Sequence, residues 1–331
     1  MSGEVAEAGR RKVTVKTWLS LGWIVALAAA GCSGAAGLRD TTPDGRLSVV
    51  ATHSILGDLV ANVGGDRLTV RTLVGPQGDA HDFEPRPADA AAVADAAVVF
   101  ENGLGFELWL DKLYAASDSA AVRVVATDGI APLPVAERGA EGGPGGGGKL
   151  DPHVWHDVTK AIRIVENVRS ALLTADPSNA RIYTANAEAY IAQLSELDTW
   201  VREQVGRLPP ERRLLVTPHD TFGYFAARYG FVVVGTALGG TTAGLADPSA
   251  STIAELVEAI KSAGVRAIFV ENVSNPGLMQ QIAADAGVEL APSLYTDALG
   301  EPGSAGDSYV RMIRYNVSTI VDALRTYPRT P

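Results

Sequence analysis

The sequence holds one cysteine, Cys32, in 331 residues. A single thiol supports no disulfide within the chain and no thiolate metal site. Positive charge is short as well: 28 Lys and Arg stand against 38 Asp and Glu, a formal net charge of −10. That balance lacks the basic footprint on which nucleic-acid binding depends, so no nucleic-acid partner is expected. No apolar run reaches the roughly 20 residues of a membrane-spanning helix. There is no H-E-x-x-H, no G-x-S-x-G and no G-x-x-x-x-G-K-[ST]. Metalloprotease, serine-hydrolase and phosphate-loop readings therefore have nothing to rest on. The stretch "GLGFEL" is only a broken glycine motif. No repeat recurs at a fixed period. Histidine is scarce too, with five residues: His53, His81, His153, His156 and His219. Two of them sit three apart in "KLDPHVWHDV", just after the glycine run "GGPGGGGK".

The apolar segment near the start reads as an export signal. A basic stretch, Arg10 to Lys16, precedes an apolar stretch, Trp18 to Ala30, which ends in small residues. Cys32 after "LAAAG" resembles a lipobox, with Ala29 where Leu is usual. Residues 1–31 are expected to be a lipoprotein-type signal peptide and Cys32 the lipidation site. Lipidation would explain a lone thiol in an exported protein. Cleavage there removes four basic and two acidic residues and leaves a more acidic chain. Residues 32–45, small and turn-rich, read as a flexible tether.

From residue 46 the pattern alternates. Short β-branched runs such as "RLSVVATH", "LTVRTLV", "AAVVFENG" and "AVRVVATDG" alternate with helical spacings such as "SILGDLVANVGG" and "ELWLDKLYAAS". Strands alternating with helices imply a mainly parallel sheet covered on both faces. Residues 138–149, glycine-rich, read as a mobile surface loop. The longest helical pattern follows Asp176-Pro177-Ser178 and runs from about Asn179 to Val205. The alternation then restarts with "RRLLVTPH", "FVVVGTAL", "VRAIFVEN" and "VELAPSL". Between them "SASTIAELVEAIKSAG" reads as a helix with Ser251 as its cap. The expected fold is α/β, with two lobes, each on a mainly parallel four-stranded sheet, joined by one long helix. The expected boundaries are 46–175 for the first lobe, 176–207 for the linking helix and 208–331 for the second lobe.

In open α/β sheets ligands bind beyond the carboxyl ends of strands. His81, His219 and Asp297 follow expected strands, and His153 follows one after the glycine-rich insert. Three imidazoles and a carboxylate make a plausible shell for a divalent metal, and an N3O set leans to zinc over manganese. Each residue also has a plainer reading. His81 and His219 could be solvated or hydrogen-bonded loop residues, and Asp297 could cap the short "ALG" turn. His53 ends a strand and is expected to pack or support. His156 would share a face with His153 if the following helix has begun by then, as a spare ligand or a surface residue. Glu271, at another strand end, is a candidate hydrogen-bond partner for a ligand imidazole.

Four motifs together carry a family resemblance: "GDAHDFEPRPAD", "DPHVWHDV", "TPHDTFGYFAARYG" and "SLYTDALG". Over nearly the whole exported part, the chain resembles the zinc- and manganese-binding solute-binding proteins of ABC importers. The resemblance implies His81, His153, His219 and Asp297 as metal ligands, and a rigid linking helix that limits hinge motion. It leaves His156 as a departure, because the family usually has an apolar residue there. The glycine-rich loop falls where zinc members often carry a His-rich loop, and here it has Glu141 but no histidine. Manganese-selective relatives tend to have Glu at the third ligand position, which here is His219.

The expected function is a monomeric, non-enzymatic receptor outside the cytoplasmic membrane, anchored by its N-terminal lipid. It would capture Zn2+ between the lobes and deliver it to an ABC permease and its ATPase, with Mn2+ as the alternative cargo. A metallochaperone is a further candidate partner. Binding should fall at acid pH, because protonated imidazole cannot ligate. Other classes are a secreted zinc hydrolase and a metal-binding adhesin. Catalytic zinc usually keeps a position open for water, which a full His3Asp shell does not.

Overall fold

The computed structural model describes residues 45–135, 150–238 and 248–326. The expected signal peptide, Cys32, the tether up to residue 44 and the glycine-rich loop at 138–149, with Glu141, lie outside these residues.

The first half runs β1 (Leu47–His53), α1 (Ser54–Gly64), β2 (Leu68–Val74), α2 (Pro87–Ala94), β3 (Val98–Glu101), α3 (Leu110–Ser117) and β4 (Val122–Val125). The strands form one parallel sheet in the order β2-β1-β3-β4. Strand side chains alternate between faces, and β1 uses both. Val49 and Ala51 enter the main core with α1, while Val50 packs with Leu73, Val93, Val99 and Leu110 on the α2 and α3 side. A strand buried on both faces is largely apolar, which is why β1 and β3 read as near-continuous apolar runs.

The second half runs β5 (Leu214–Thr217), α6 (Gly223–Tyr229), β6 (Val232–Thr236), α7 (Ala250–Ala263), β7 (Ala267–Ile268), α8 (Gly277–Ala286), β8 (Glu289–Leu290) and α9 (Tyr309–Thr326). Among the described residues, the expected four-stranded sheet is two parallel pairs, β5-β6 and β7-β8. Phe269 N donates to Val216 O at 3.0 Å and joins the pairs. A register shift at Leu215/Val216 interrupts regular pairing there. The cap of α7 is Ser249, whose side chain accepts from Thr252 N, and not Ser251 as expected.

Two helices lie between the halves. α4 (Val158–Ala175) begins just beyond His156, so the helix considered there starts after both histidines; Asp157 caps it and Val158, Ala161, Ile164, Val165, Val168 and Leu172 recur at helical spacing. α5 (Ala180–Val205) is the long helix, 26 residues or about 39 Å. Its buried stripe is Tyr183, Ala187, Tyr190, Leu194, Leu197, Val201 and Val205. Near its start Asn186 donates to Val63 O of α1 at 3.0 Å. Further along, Asp198 accepts from Arg228 at 3.0 Å and from Tyr229 at 2.9 Å, both on α6. One long helix is thus tied to both halves. The main core is continuous across them, and includes Val49 and Phe100 as well as Leu215 and Phe269.

Candidate metal centre

All strands of the first sheet are parallel, so their carboxyl ends share one edge. His53 ends β1 there. His81 sits in the loop after β2, in a local turn where Asp79 accepts from the His81 backbone N–H at 2.8 Å. Trp109 Nε1 donates to Ala80 O at 2.8 Å and holds the loop. His153 uses the same Asp-x-His device: Asp151 Oδ1 accepts from its backbone N at 2.9 Å and lies 2.8 Å from its Nδ1. That contact holds the proton on Nδ1 and turns the Nε2 lone pair the other way. Asn102 donates to Pro152 O and Tyr224 to Asp151 O, fixing the segment from both halves.

His219 follows β5 by two residues. Its Nδ1 lies 2.6 Å from Glu271 Oε2, at the end of the stretch after β7. Asp297 sits in a loop held on three sides. Asn272 accepts from Thr296 N, Trp155 donates to Thr296 O, and Ser54 accepts from Leu299 N.

These elements bring His81, His153, His219 and Asp297 together, with one donor atom from each lying within 4.8 Å of the others. All four are buried, and His153, His219 and Asp297 have no exposure at all. His81 Nε2 is 3.1 Å from His153 Nε2 and 3.5 Å from Asp297 Oδ2. His153 Nε2 is 3.6 Å from Asp297 Oδ1, and His219 Nε2 is 3.1 Å from Asp297 Oδ2. His219 Nε2 and Asp297 Oδ2 are both buried, yet neither makes a hydrogen bond. They are close but not aligned on each other. Buried polar atoms are rarely left so, and a cation between them would satisfy both.

The electrostatics fit a cation site. Burial pushes the His81 pKa down to about 3, with neighbouring His153 adding to the shift against the pull of Asp297. Burial disfavours charge on His219 too, but Glu271 and Asp297 outweigh it and raise its pKa well above the ordinary value. Burial alone would raise Asp297; the His219 and His153 imidazoles reverse this and hold it well below the usual carboxylate range. Glu271 is raised by burial despite His219.

The other predicted residues lie around this group. His53 is buried against Phe106 and Trp155, with no hydrogen bond to either ring nitrogen. His156 is buried in a short 3-10 turn, Val154–His156, and not on a helix shared with His153. Its Nε2 is 3.3 Å from Thr221 Oγ1. Sequence reasoning missed Asp151, Thr221 and Phe106, whose ring meets His81 edge-on at 4.5 Å. Asp151 had a local signal, the Asp-x-His spacing it shares with Asp79 and His81. Thr221 had none beyond lying two residues from His219.

Known proteins resemble this chain in sequence and in fold. The family described as ZnuA, zinc-uptake complex component A periplasmic, matches residues 49–323. The manganese-binding lipoprotein MntA of Halalkalibacterium halodurans is 39% identical over 306 residues, covering 91% of this chain and 96% of the relative. The manganese ABC transporter substrate-binding lipoprotein PsaA of Streptococcus pneumoniae is 29% identical, covering 88% and 93%. The solved periplasmic zinc binding protein TroA of Treponema pallidum superposes with a TM-score of 0.76 at 30% identity, covering 85% of this chain and 99% of that one. The chain belongs to the ZnuA family, the metal-binding receptors of ABC importers.

Proposed function

We propose that this chain captures Zn2+ outside the cytoplasmic membrane with His81, His153, His219 and Asp297, and hands it to an ABC permease driven by its ATPase. The observation that carries this reading is the pair His219 Nε2 and Asp297 Oδ2, buried, 3.1 Å apart and without a hydrogen bond. Three of the separations among His81, His153, His219 and Asp297 Oδ2, namely 3.1, 3.5 and 3.1 Å, lie near those of a zinc shell. A tetrahedron with bonds of about 2.0–2.1 Å has edges of about 3.3–3.4 Å. The N3O donor set points the same way. The manganese names of MntA and PsaA favour the second reading, Mn2+ as cargo.

Capture is the whole chemistry. Four protein donors fill a tetrahedral zinc shell and leave no site for an activated water. His81 and His153 come from the first lobe, 46–175, and His219 and Asp297 from the second, 208–331. Separating the lobes therefore removes half the ligands at once, which is a route to release at the permease. The helix within 176–207 restrains that motion. Residues 1–31 direct export, and a lipid on Cys32 keeps the monomer at the membrane. Delivery of zinc by a metallochaperone is compatible with this scheme.

The test is growth and zinc uptake on limiting zinc. A deletion strain should be rescued by the wild-type gene and not by His219→Ala. Rescue by both would refute capture by these residues, and rescue by manganese alone would transfer the proposal to the second cargo.

A further inference from the structure

His156 is one of two histidines, with His53, that the metal-ligand set leaves unused. It lies in the first half of the chain, buried, with its ring against Phe222 of the second half at 4.6 Å between centroids. Burial brings its pKa down to about 3, with His153 contributing, so the ring is neutral near pH 7. Its Nε2 meets Thr221 Oγ1 at 3.3 Å, and Thr221 Oγ1 in turn donates to Asp297 Oδ1 at 3.5 Å. Thr221 is fully buried.

A hydroxyl has one proton to give. If Thr221 donates to Asp297, its oxygen can only accept from His156, which must then carry its proton on Nε2. That leaves His156 Nδ1 bare, and Nδ1 is the ring atom that makes no hydrogen bond of good geometry, although the Thr296 backbone favours a proton on the ring. If the proton sat on Nδ1 instead, Thr221 would donate to His156 and release Oδ1. The imidazole therefore decides where the hydroxyl points. Both contacts are long for hydrogen bonds, so their stabilisation is small and their effect is directional. The two carboxylate oxygens differ accordingly. Oδ2 faces His81 and His219, whereas Oδ1 faces His153 and the hydroxyl.

We propose that His156 is a positioning residue for metal selectivity: it holds the Thr221 hydroxyl on Oδ1 of Asp297, so that Oδ2 alone serves as the metal donor. This rests on the metal-receptor reading. A carboxylate limited to one oxygen keeps the donor count at four, the number zinc favours. A released Oδ1 would add an oxygen donor, which suits manganese better.

The test is competitive binding of zinc and manganese to the purified chain, with melting of the metal-free form alongside. His156→Phe keeps an aromatic ring against Phe222 and removes the nitrogen. It should lower zinc affinity about 3- to 10-fold, at or below the low end of the 10- to 100-fold typical of residues supporting metal ligands, and lower the zinc-to-manganese ratio. The metal-free melting temperature should not fall. Thr221→Val should do the same and Thr221→Ser should restore binding. The double variant His156→Phe/Thr221→Val should bind like Thr221→Val alone, because the two act in series. Multiplying effects, an unchanged metal ratio, or wild-type zinc affinity in His156→Phe would overturn the proposal. Failure of the wild-type chain to bind either metal would overturn the receptor reading itself.

Discussion

Replacing Glu271 by Gln isolates how much the carboxylate behind His219 contributes to metal affinity. Both side chains are fully buried, and Nδ1 to Oε2 is 2.6 Å. A hydrogen bond to a charged group contributes about 1.5–3 kcal/mol and a neutral one about 0.5–1.5 kcal/mol. Exchanging carboxylate for amide oxygen thus removes about 1–1.5 kcal/mol of the preference for the tautomer that frees Nε2. At about 1.4 kcal/mol per decade, zinc affinity should fall about 5- to 10-fold. If the Gln amide nitrogen turns toward Nδ1, the proton moves to Nε2 and the loss approaches 100-fold. Chelator competition at pH 7.5 measures the change, and circular dichroism checks that the variant is folded. Affinity within twofold of wild type would refute the reasoning, because Glu271 would then play no part in preparing His219.

Asp198 tests the tie between α5 and α6 through pH. Burial would raise its pKa, but hydrogen bonds from Arg202, Arg228 and Tyr229 lower it below the ordinary carboxylate value. Its contribution is therefore present above the unfolded pKa of about 3.9 and lost as pH falls through the lower folded value. Asp198→Asn should be less stable than wild type at pH 7, and urea melts of the two should converge at strongly acid pH. Leu194→Ala empties a fully buried position on α5 and should cost about 2–5 kcal/mol in the same melts. Ser249→Ala removes the α7 cap and should cost about 1 kcal/mol, whereas Ser251→Ala should change stability by less than about 0.5 kcal/mol.

The order of strands and helices was legible because burial on both faces leaves continuous apolar runs, as in β1 and β3, and because α5 repeats its apolar stripe over seven turns. The second sheet was harder. β7 and β8 pair over two residues each, although the apolar runs "VRAIFVEN" and "VELAPSL" extend further, since burial alone does not require ladder hydrogen bonds. The bounds of α4 are not legible beside the glycine-rich insert and the histidines, despite its regular spacing. At the candidate site the four ligand candidates could be named from strand ends and motif resemblance. The partners that orient them could not be named as readily. Asp151 acts through a local turn, but Thr221 meets His156 only because the two halves of the chain close on each other, and sequence separation hides that contact. Ser249 and Ser251 both suit a helix start, and only backbone geometry separates them.

Zinc K-edge X-ray absorption on the purified, zinc-loaded chain tests the central claim most directly. The account predicts one zinc per chain with four nitrogen or oxygen neighbours at about 2.0–2.1 Å, imidazole scattering from three histidines, and loss of that signal in His219→Ala. A six-coordinate oxygen-rich shell, or an unchanged spectrum in His219→Ala, would contradict it.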